Sequence, residues 1–331
     1  MKRLRMRNET ANNKHLMLFS GRAFPELAEE IAATLETNLV PTRALAYANS
    51  EIYVRFEESV RGCDAFVIQS HTAPVNEWIM EQLIMVDALK RASAKRITVV
   101  APFYPYARQD KKHLGREPIS ARLVADLYKA AGADRIMSVD LHASQIQGFF
   151  DGPVDHLWGL PVLSDYVRAH YDTSEMCVVS PDAGRVRLAD MWTDELGCPL
   201  AIIHKRRDHE KANTVAVHEV VGDVRGKTCI LVDDMIDTAG TITQAALALQ
   251  ERGASKVICA ATHAVFSGPA VERLNKSGLA EIIVTNTLPI RTAEPVNNLT
   301  VLSIAPLIAR AINAVDRKST RLNSSHSTES R

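Results

Sequence analysis

Long hydrophobic runs are missing from this chain of 331 residues. No apolar stretch reaches the roughly 18 residues that a membrane-spanning helix requires. The basic start, with Lys2 and Arg3, is followed only by the short apolar stretch LMLF and not by the core of a signal peptide. We therefore expect a cytoplasmic protein that has no membrane segment.

Cysteine is scarce and unclustered. The chain has five cysteines, and their spacing contains neither CxxC nor a Cys/His zinc pattern. Cys177, Cys229 and Cys259 lie inside or beside apolar, strand-like runs, where a thiol behaves as a small buried hydrophobic group. This pattern predicts reduced cysteines and excludes a zinc-finger or disulfide-rich protein.

An excess of charge of one sign is absent as well, because 39 basic residues balance 39 acidic residues. The basic residues are concentrated at the two ends, so the central residues 9–316 are acidic overall. An acidic body disfavours nonspecific binding to nucleic acid. We expect no nucleic-acid partner, and an anionic ligand needs local cations or a metal ion.

Short apolar runs and longer segments of helical periodicity alternate from about His15 onward. This alternation is typical of βαβ units and predicts an α/β fold with mainly parallel sheets flanked by helices. In three places a helical segment leads into a strand whose end is polar or aromatic, at Phe103, His142 and His263. Because open α/β sheets bind ligands at the carboxyl ends of their strands, we expect functional residues there.

The segment DGPVDHLWGLP interrupts the periodicity and predicts a boundary between two α/β domains, over residues 15–158 and 159–305. A further helix is expected over residues 306–316. The Ser-rich tail, residues 317–331, lacks apolar periodicity and is expected to be disordered. Its abrupt change of character indicates a cloning or assembly artefact.

The segment TCILVDDMIDTAGTI carries the strongest functional signal. An apolar strand ends in Asp233 and Asp234, and after a turn with Asp237 the small residues up to Thr241 open a helix. Backbone N–H groups at such a helix start surround a phosphate, and two carboxylates at the strand end suit ribose hydroxyls. The alternative is an acidic turn before a capped helix, without a ligand. We favour the sugar-phosphate site.

The stretch VDDMIDTAGT resembles the ribose-5-phosphate site shared by phosphoribosyltransferases and phosphoribosyl pyrophosphate synthetases. Successive signatures of the ribose-phosphate pyrophosphokinase family are similar to YPYARQDKK, VDLHASQIQGFFDGPVD, VVSPDAG, HKRR and THAVFSGPA. The resemblance runs in order from about Leu18 to Val315. It implies two phosphoribosyltransferase-like domains, of which the first holds ATP and the second ribose 5-phosphate.

The implied reaction transfers the β,γ-diphosphoryl group of ATP to the C1 hydroxyl of ribose 5-phosphate and gives phosphoribosyl pyrophosphate and AMP. Such a transfer needs Mg²⁺ and cations around the β and γ oxygens. The chain has no Walker A motif, so the nucleotide must be held in another way. The resemblance implies an ATP site shared between subunits of a homo-oligomer, a hexamer built from dimers.

The resemblance also assigns roles to individual residues. Lys205 and Arg207 are the catalytic pair, on a loop that closes over the transferring group, and His142 and Asp182 flank the metal. The residues assigned to ATP are Tyr47, Asn49, Glu51, Arg108 and Gln109. The residues assigned to ribose 5-phosphate are Arg207, Asp233, Asp234, Asp237, Thr238, Ala239, Gly240 and Thr241.

The chain departs from the family pattern at a few positions. Asn49 and Ser50 replace an Asp-Gly pair in the adenine-contacting loop, Arg185 replaces a second glycine after PDAG, and His204 precedes the catalytic lysine. Two other functions therefore stay open. One is a noncatalytic regulatory paralogue of a synthetase, and the other is a phosphoribosyltransferase that consumes phosphoribosyl pyrophosphate. Retention of Lys205 argues against the first, and the length and the segment YPYARQDKK argue against the second.

Overall fold

The computed structural model describes residues 16–206 and 217–325 of the chain. Two sheets, each flanked by helices on both faces, make up this part of the chain. The strands of the first half are β1 Leu16–Ser20, β2 Thr42–Ala46, β3 Ile52–Phe56, β4 Asp64–Ile68, β5 Arg96–Ala101, β6 Arg135–Val139 and β7 Val154–Leu157. Those of the second half are β8 Met176–Ser180, β9 Leu200–Arg206, β10 Val217–Val221, β11 Thr228–Ile236, β12 Lys256–Ala264, β13 Glu281–Thr285 and β14 Leu299–Leu302.

Helices connect these strands. They are α1 Pro25–Thr34, α2 Val75–Arg91, α3 Ser120–Ala131, α4 Leu160–His170, α5 Val186–Leu196, α6 Gly240–Glu251, α7 Ala270–Asn275 and α8 Ala305–Ser325. None of the helices in the described ranges has the length and apolar character needed to cross a bilayer.

The N-terminal sheet has the strand order β1-β4-β5-β6-β7, and all its strand pairs are parallel. The C-terminal sheet has the order β10-β9-β8-β11-β12-β13-β14, and only the β10–β9 pair is antiparallel. Strands β2 and β3 form a separate antiparallel hairpin. The predicted α/β class with mainly parallel sheets is confirmed.

Burial on both faces explains why the central strands read as continuous apolar runs. Every residue of β4 and β8 is buried, as expected for parallel strands that are covered by helices on both sides. Helices α2 and α3 cover one face of the N-terminal sheet and α1 covers the other. Helices α6 and α7 cover one face of the C-terminal sheet, and α4 and α5 cover the other.

The last helix returns to the N-terminal sheet. Ile308 and Ile312 of α8 are fully buried and pack in one cluster with Leu27 and Ile31 of α1. Helix α8 runs to Ser325, so the first part of the tail expected to be disordered has helical backbone. The rest of that tail, residues 326–331, lies outside the described residues. The predicted domain boundaries remain predictions, and the two sheets lie on either side of the one near residue 158.

The carboxyl ends of the two sheets are joined at Asp140, directly after β6. Its Oδ2 accepts hydrogen bonds from the Thr262 hydroxyl of β12 and from the Gly159 N–H at 3.0 Å. A Cβ at Gly159 would lie 2.8 Å from that same Oδ2, so the close approach requires glycine. This contact holds the carboxyl ends of the N-terminal and C-terminal strands close together, and the site lies between them.

The predicted cysteine chemistry agrees with the structure. All five cysteines are buried and none forms a disulfide. Burial raises the pKa of the Cys63 and Cys177 thiols to about 11, which keeps them protonated and unreactive at neutral pH. These residues therefore belong to the core.

Candidate active site

Strand β11 and the turn after it build the centre of the site. The strand continues to Ile236, two residues beyond the predicted end at Asp234. Ala239 then adopts a left-handed conformation with φ 59°, which is uncommon for a residue with a Cβ, and α6 begins at Gly240. The N–H groups of the first helical turn have no partners within the helix and are free for an anion.

This turn lines a cavity of about 170 Å³, here called the loop cavity. Its wall contains the whole segment 233–242, and thus every residue predicted for ribose 5-phosphate except Arg207. Arg108 of the N-terminal half and the two predicted metal residues also line it. These two residues are His142 and Asp182. The structure thus brings together side chains from four separate segments that the sequence could only list.

The two carboxylates at the centre are held by a cation and an imidazole. Arg185 Nε lies 2.8 Å from Asp233 Oδ1, and Arg185 Nη2 lies 2.8 Å from Asp234 Oδ1. His142 Nδ1 lies 2.7 Å from Asp234 Oδ2 and 2.9 Å from Arg185 Nη2. Both aspartate side chains are largely buried, so these contacts are shielded from solvent and salt.

Burial and charge act differently on the acidic groups of the site. Burial raises the pKa of Asp234, but the hydrogen bond from His142 and the charge of Arg185 outweigh it and lower the pKa to about 2. Burial, followed by the adjacent charge of Asp234, raises the pKa of Asp233. Burial also raises the pKa of Asp140 to about 6. Asp140 Oδ1 has no hydrogen-bond partner among the described residues.

The predicted metal residues supply suitable donors without forming a finished cluster. Asp182 Oδ1 accepts the N–H groups of Gly184 and Arg185 at 2.8 and 3.1 Å, and so caps the turn before α5. His142 faces Asp234. Across residues 16–206 and 217–325, no group of three His, Cys, Asp or Glu side chains is arranged to hold a metal ion. The donor types fit a divalent cation, but they are not drawn together around one point.

The predicted ATP residues are divided between two places. Arg108 reaches the loop cavity, where its Nη1 lies 2.6 Å from Asp237 Oδ2, while the Gln109 side chain accepts a hydrogen bond from Ser120. Tyr47, Asn49 and Glu51 lie on the exposed β2–β3 hairpin and line neither the loop cavity nor the larger cavity described below. Within one chain, they are not part of the site.

The predicted catalytic residues can be placed only in part. Lys205 lies in β9, opposite His218 of β10, and the structure does not describe its side chain. Arg207 lies outside the described residues. The catalytic role of both residues remains a prediction.

A second cavity of about 410 Å³, here called the interdomain cavity, adjoins the first. It shares His142, Arg185 and the aspartate pair with the loop cavity. Its wall also includes Trp158, whose ring centroid lies 4.3 Å from that of His156 with the two rings tilted by 32°. Sequence reasoning missed it because its wall comes from both halves of the chain. The segment DGPVDHLWGLP, which contains these aromatic residues, was the only feature of the sequence that indicated this cavity.

Sequence reasoning also missed two contacts that shape the turn. The Ser267 hydroxyl donates to Asp237 Oδ1, and Arg273 Nη1 donates to the Thr238 carbonyl at 3.0 Å. Ser267 belongs to the segment THAVFSGPA, which the resemblance had singled out without a role for this serine. Arg273 carries no local signal, because it reaches the turn from α7.

Comparison with protein-family models gives two matches. Residues 16–132 match the N-terminal domain of ribose phosphate pyrophosphokinase, and residues 213–322 match the phosphoribosyl synthetase-associated domain. Together they cover more than half of the chain.

Individual relatives agree with these models. The chain is 66% identical to the ribose-phosphate pyrophosphokinase of Streptomyces coelicolor over 307 residues, or 93% of this chain and 95% of that protein. It is 63% identical to the ribose-phosphate pyrophosphokinase of Mycobacterium tuberculosis H37Rv, over 92% and 94% of the two chains. The crystal structure of phosphoribosylpyrophosphate synthetase from Mycobacterium smegmatis superposes with a TM-score of 0.87 at 62% identity, and covers 92% of this chain and all of that one.

Two mainly parallel sheets, with an acidic strand end before a helix start that suits a phosphate, define an α/β protein with a candidate sugar-phosphate site. The relatives described above identify the family within this class. The chain belongs to the ribose-phosphate pyrophosphokinase family. The family predicted from the sequence is confirmed, as is the expectation of an enzyme, and the noncatalytic alternative is not favoured.

Proposed function

We propose that this chain transfers the β,γ-diphosphoryl group of ATP to the C1 hydroxyl of ribose 5-phosphate, giving phosphoribosyl pyrophosphate and AMP. One observation carries the proposal: the Asp233–Asp234 pair and the start of α6 face the same cavity as Arg108. A sugar phosphate and a nucleotide can therefore meet there. The high identity to named pyrophosphokinases supports the same reaction.

Ribose 5-phosphate fits the loop cavity in one orientation. Its phosphate binds the N–H groups and threonine hydroxyls of segment 238–241, where the positive end of the α6 dipole favours an anion. Its ring hydroxyls donate to Asp233 and Asp234, which lie near the carboxyl end of β11. Arg207 completes the phosphate contacts. This orientation leaves the C1 hydroxyl toward Arg108 and His142.

ATP binds on the N-terminal side of the cavity through Arg108 and Gln109. The hairpin residues Tyr47, Asn49 and Glu51 stand away from the cavity of their own chain, and Tyr47 is 52% exposed. If they contact adenine, they do so in a neighbouring subunit. We propose a homo-oligomer, the family's hexamer built from dimers, in which each ATP site is shared between two chains.

A divalent cation, Mg²⁺, belongs to the proposed site. His142 and Asp182 would lie on either side of it beside the aspartate pair, in direct contact or through bound water, because Mg²⁺ prefers oxygen ligands and keeps several waters. The ion supplies charge neutralisation at the β- and γ-phosphate oxygens. The chain's own residues do the remaining work: Lys205 and Arg207 stabilise the charge that develops on the transferring group, and Arg108 holds the nucleotide in line with the sugar.

Nucleotide analysis tests the proposal against its rivals. The protein is incubated with ATP, ribose 5-phosphate and Mg²⁺, and the nucleotides are separated by ion-exchange chromatography. The proposed reaction releases AMP only when ribose 5-phosphate is present. Release of ADP would indicate ordinary phosphoryl transfer, and unchanged ATP with intact ligand binding would indicate the noncatalytic paralogue. Either outcome would contradict the proposal.

A further inference from the structure

Arg185 places a positive charge between the two carboxylates that the site needs for its ligands. One guanidinium contacts Asp233 through Nε and Asp234 through Nη2, both at 2.8 Å. Its side chain is 20% exposed, and the aspartate side chains are 13% and 7% exposed. A charge pair this poorly hydrated interacts more strongly than a surface salt bridge.

Arg185 brings positive charge to both carboxylates of the pair. Asp233 Oδ1 receives both Arg185 and the Asp234 N–H at 2.9 Å. Asp234 has Arg185 at Oδ1 and His142 at Oδ2. An incoming cation therefore meets the positive charge of Arg185 at both carboxylates and beside His142.

The fold holds Arg185 in this place and also gives it an alternative. Its backbone N–H donates to Asp182 Oδ1 at 3.1 Å, so the start of the side chain is fixed by the turn before α5. Its side chain lines both the loop cavity and the interdomain cavity. A guanidinium that leaves the aspartates can enter the larger, 410 Å³ cavity without filling the loop cavity.

We propose that Arg185 is a resident cation beside the Asp233–Asp234 pair and His142 whose positive charge lowers the enzyme's affinity for the divalent cation held next to that pair. The inference rests on the proposed function, which places a divalent cation in this cavity.

The test measures Mn²⁺ binding to the protein without nucleotide or sugar, by the loss of the free Mn²⁺ electron paramagnetic resonance signal at pH 8. Arg185→Gln removes the charge and keeps most of the side-chain length. We expect it to bind Mn²⁺ at least about tenfold more tightly than the wild type, or about 1.4 kcal/mol. Arg185→Ala is a second neutral variant with the same expectation, and Arg185→Lys, which keeps the charge, should stay within about threefold of the wild type.

Arg187→Gln is the matched control. Arg187 lines the interdomain cavity and is exposed, and within the described residues it forms no ion pair with either aspartate. Its loss should leave Mn²⁺ affinity within about twofold. Equal or weaker Mn²⁺ binding by the folded neutral variants, or an equal gain in Arg187→Gln, would overturn the inference. AMP release by the wild type is measured in parallel. This separate measurement distinguishes an error in the proposed reaction from an error in the proposed role of Arg185.

Discussion

Arg108 Nη1 lies 2.6 Å from Asp237 Oδ2, so a residue after β5 of the N-terminal sheet contacts the turn after β11 of the C-terminal sheet. The first residue is assigned to ATP and the second to ribose 5-phosphate. The two predicted substrate sites therefore share one direct contact, and a change at either end should alter the other substrate's binding.

Arg108→Ala tests this contact. The Arg108 side chain is 60% exposed, so the ion pair should contribute less than about 1 kcal/mol to the free energy of unfolding. We expect instead at least about a tenfold higher KM for ATP, from loss of a cation at the phosphates. Urea unfolding and steady-state kinetics measure both quantities. A large loss of stability with an unchanged KM would make Arg108 structural.

Lys205→Ala tests the catalytic prediction on β9. Removing one preorganised donor to the transition state typically lowers turnover by about 10²–10³. Binding of ribose 5-phosphate, measured by calorimetry, should stay within about threefold. Lys256→Ala is the control. Lys256 is an exposed lysine at the amino end of β12, whereas the site lies at the carboxyl ends of the strands. Near-normal turnover in Lys205→Ala would remove this residue from the mechanism.

Asp233→Asn tests the assignment of the ribose hydroxyls. A hydrogen bond to a charged acceptor contributes about 1.5–3 kcal/mol, so the affinity for ribose 5-phosphate should fall by about 10–100-fold. Calorimetric titration of the sugar phosphate gives this ratio directly. Asp223→Asn, at an exposed aspartate next to Lys227, serves as the matched substitution. Equal affinity in the wild type and Asp233→Asn would place the hydroxyls elsewhere.

Asp140 should make the free energy of unfolding fall as the pH rises, which is the opposite of the usual effect of a carboxyl group whose pKa is lowered by folding. Burial raises its pKa from the ordinary value of 3.8 to about 6, so the folded protein binds this proton more tightly than the unfolded chain. Its contribution favours folding below about pH 4 and is lost as the pH rises through 6, by up to about 3 kcal/mol. Asp140→Asn cannot titrate. The unfolding free energy of the variant minus that of the wild type should therefore rise between pH 4 and pH 7, and a difference that is constant with pH would contradict this account.

Local patterns predicted the fold class and the centre of the site. The apolar runs of β4 and β8 predicted parallel strands because burial on both faces demands such runs. The turn after β11 was predictable because the aspartates, the small residues and the start of the helix are adjacent in the sequence. The helical backbone beyond residue 316 was not, since the tail lacks apolar periodicity.

Contacts between distant segments could not be predicted. Arg185 stood out in the sequence only as a replacement for glycine, and its bridge to Asp233 and Asp234 depends on how the turn before α5 faces β11. The burial of Asp140 depends likewise on Thr262 and Gly159. In both cases, the physical effect is set by desolvation and distance, which sequence spacing does not contain.

The most direct test of the central claim is ³¹P nuclear magnetic resonance of the reaction with ATP, ribose 5-phosphate and Mg²⁺. If an intact β,γ-diphosphoryl group is transferred, the AMP resonance and a diphosphate ester on C1 grow together, and the two phosphorus atoms of that ester remain coupled to each other. Formation of ADP with a sugar monophosphate ester, or release of free pyrophosphate without a C1 ester, would contradict the account.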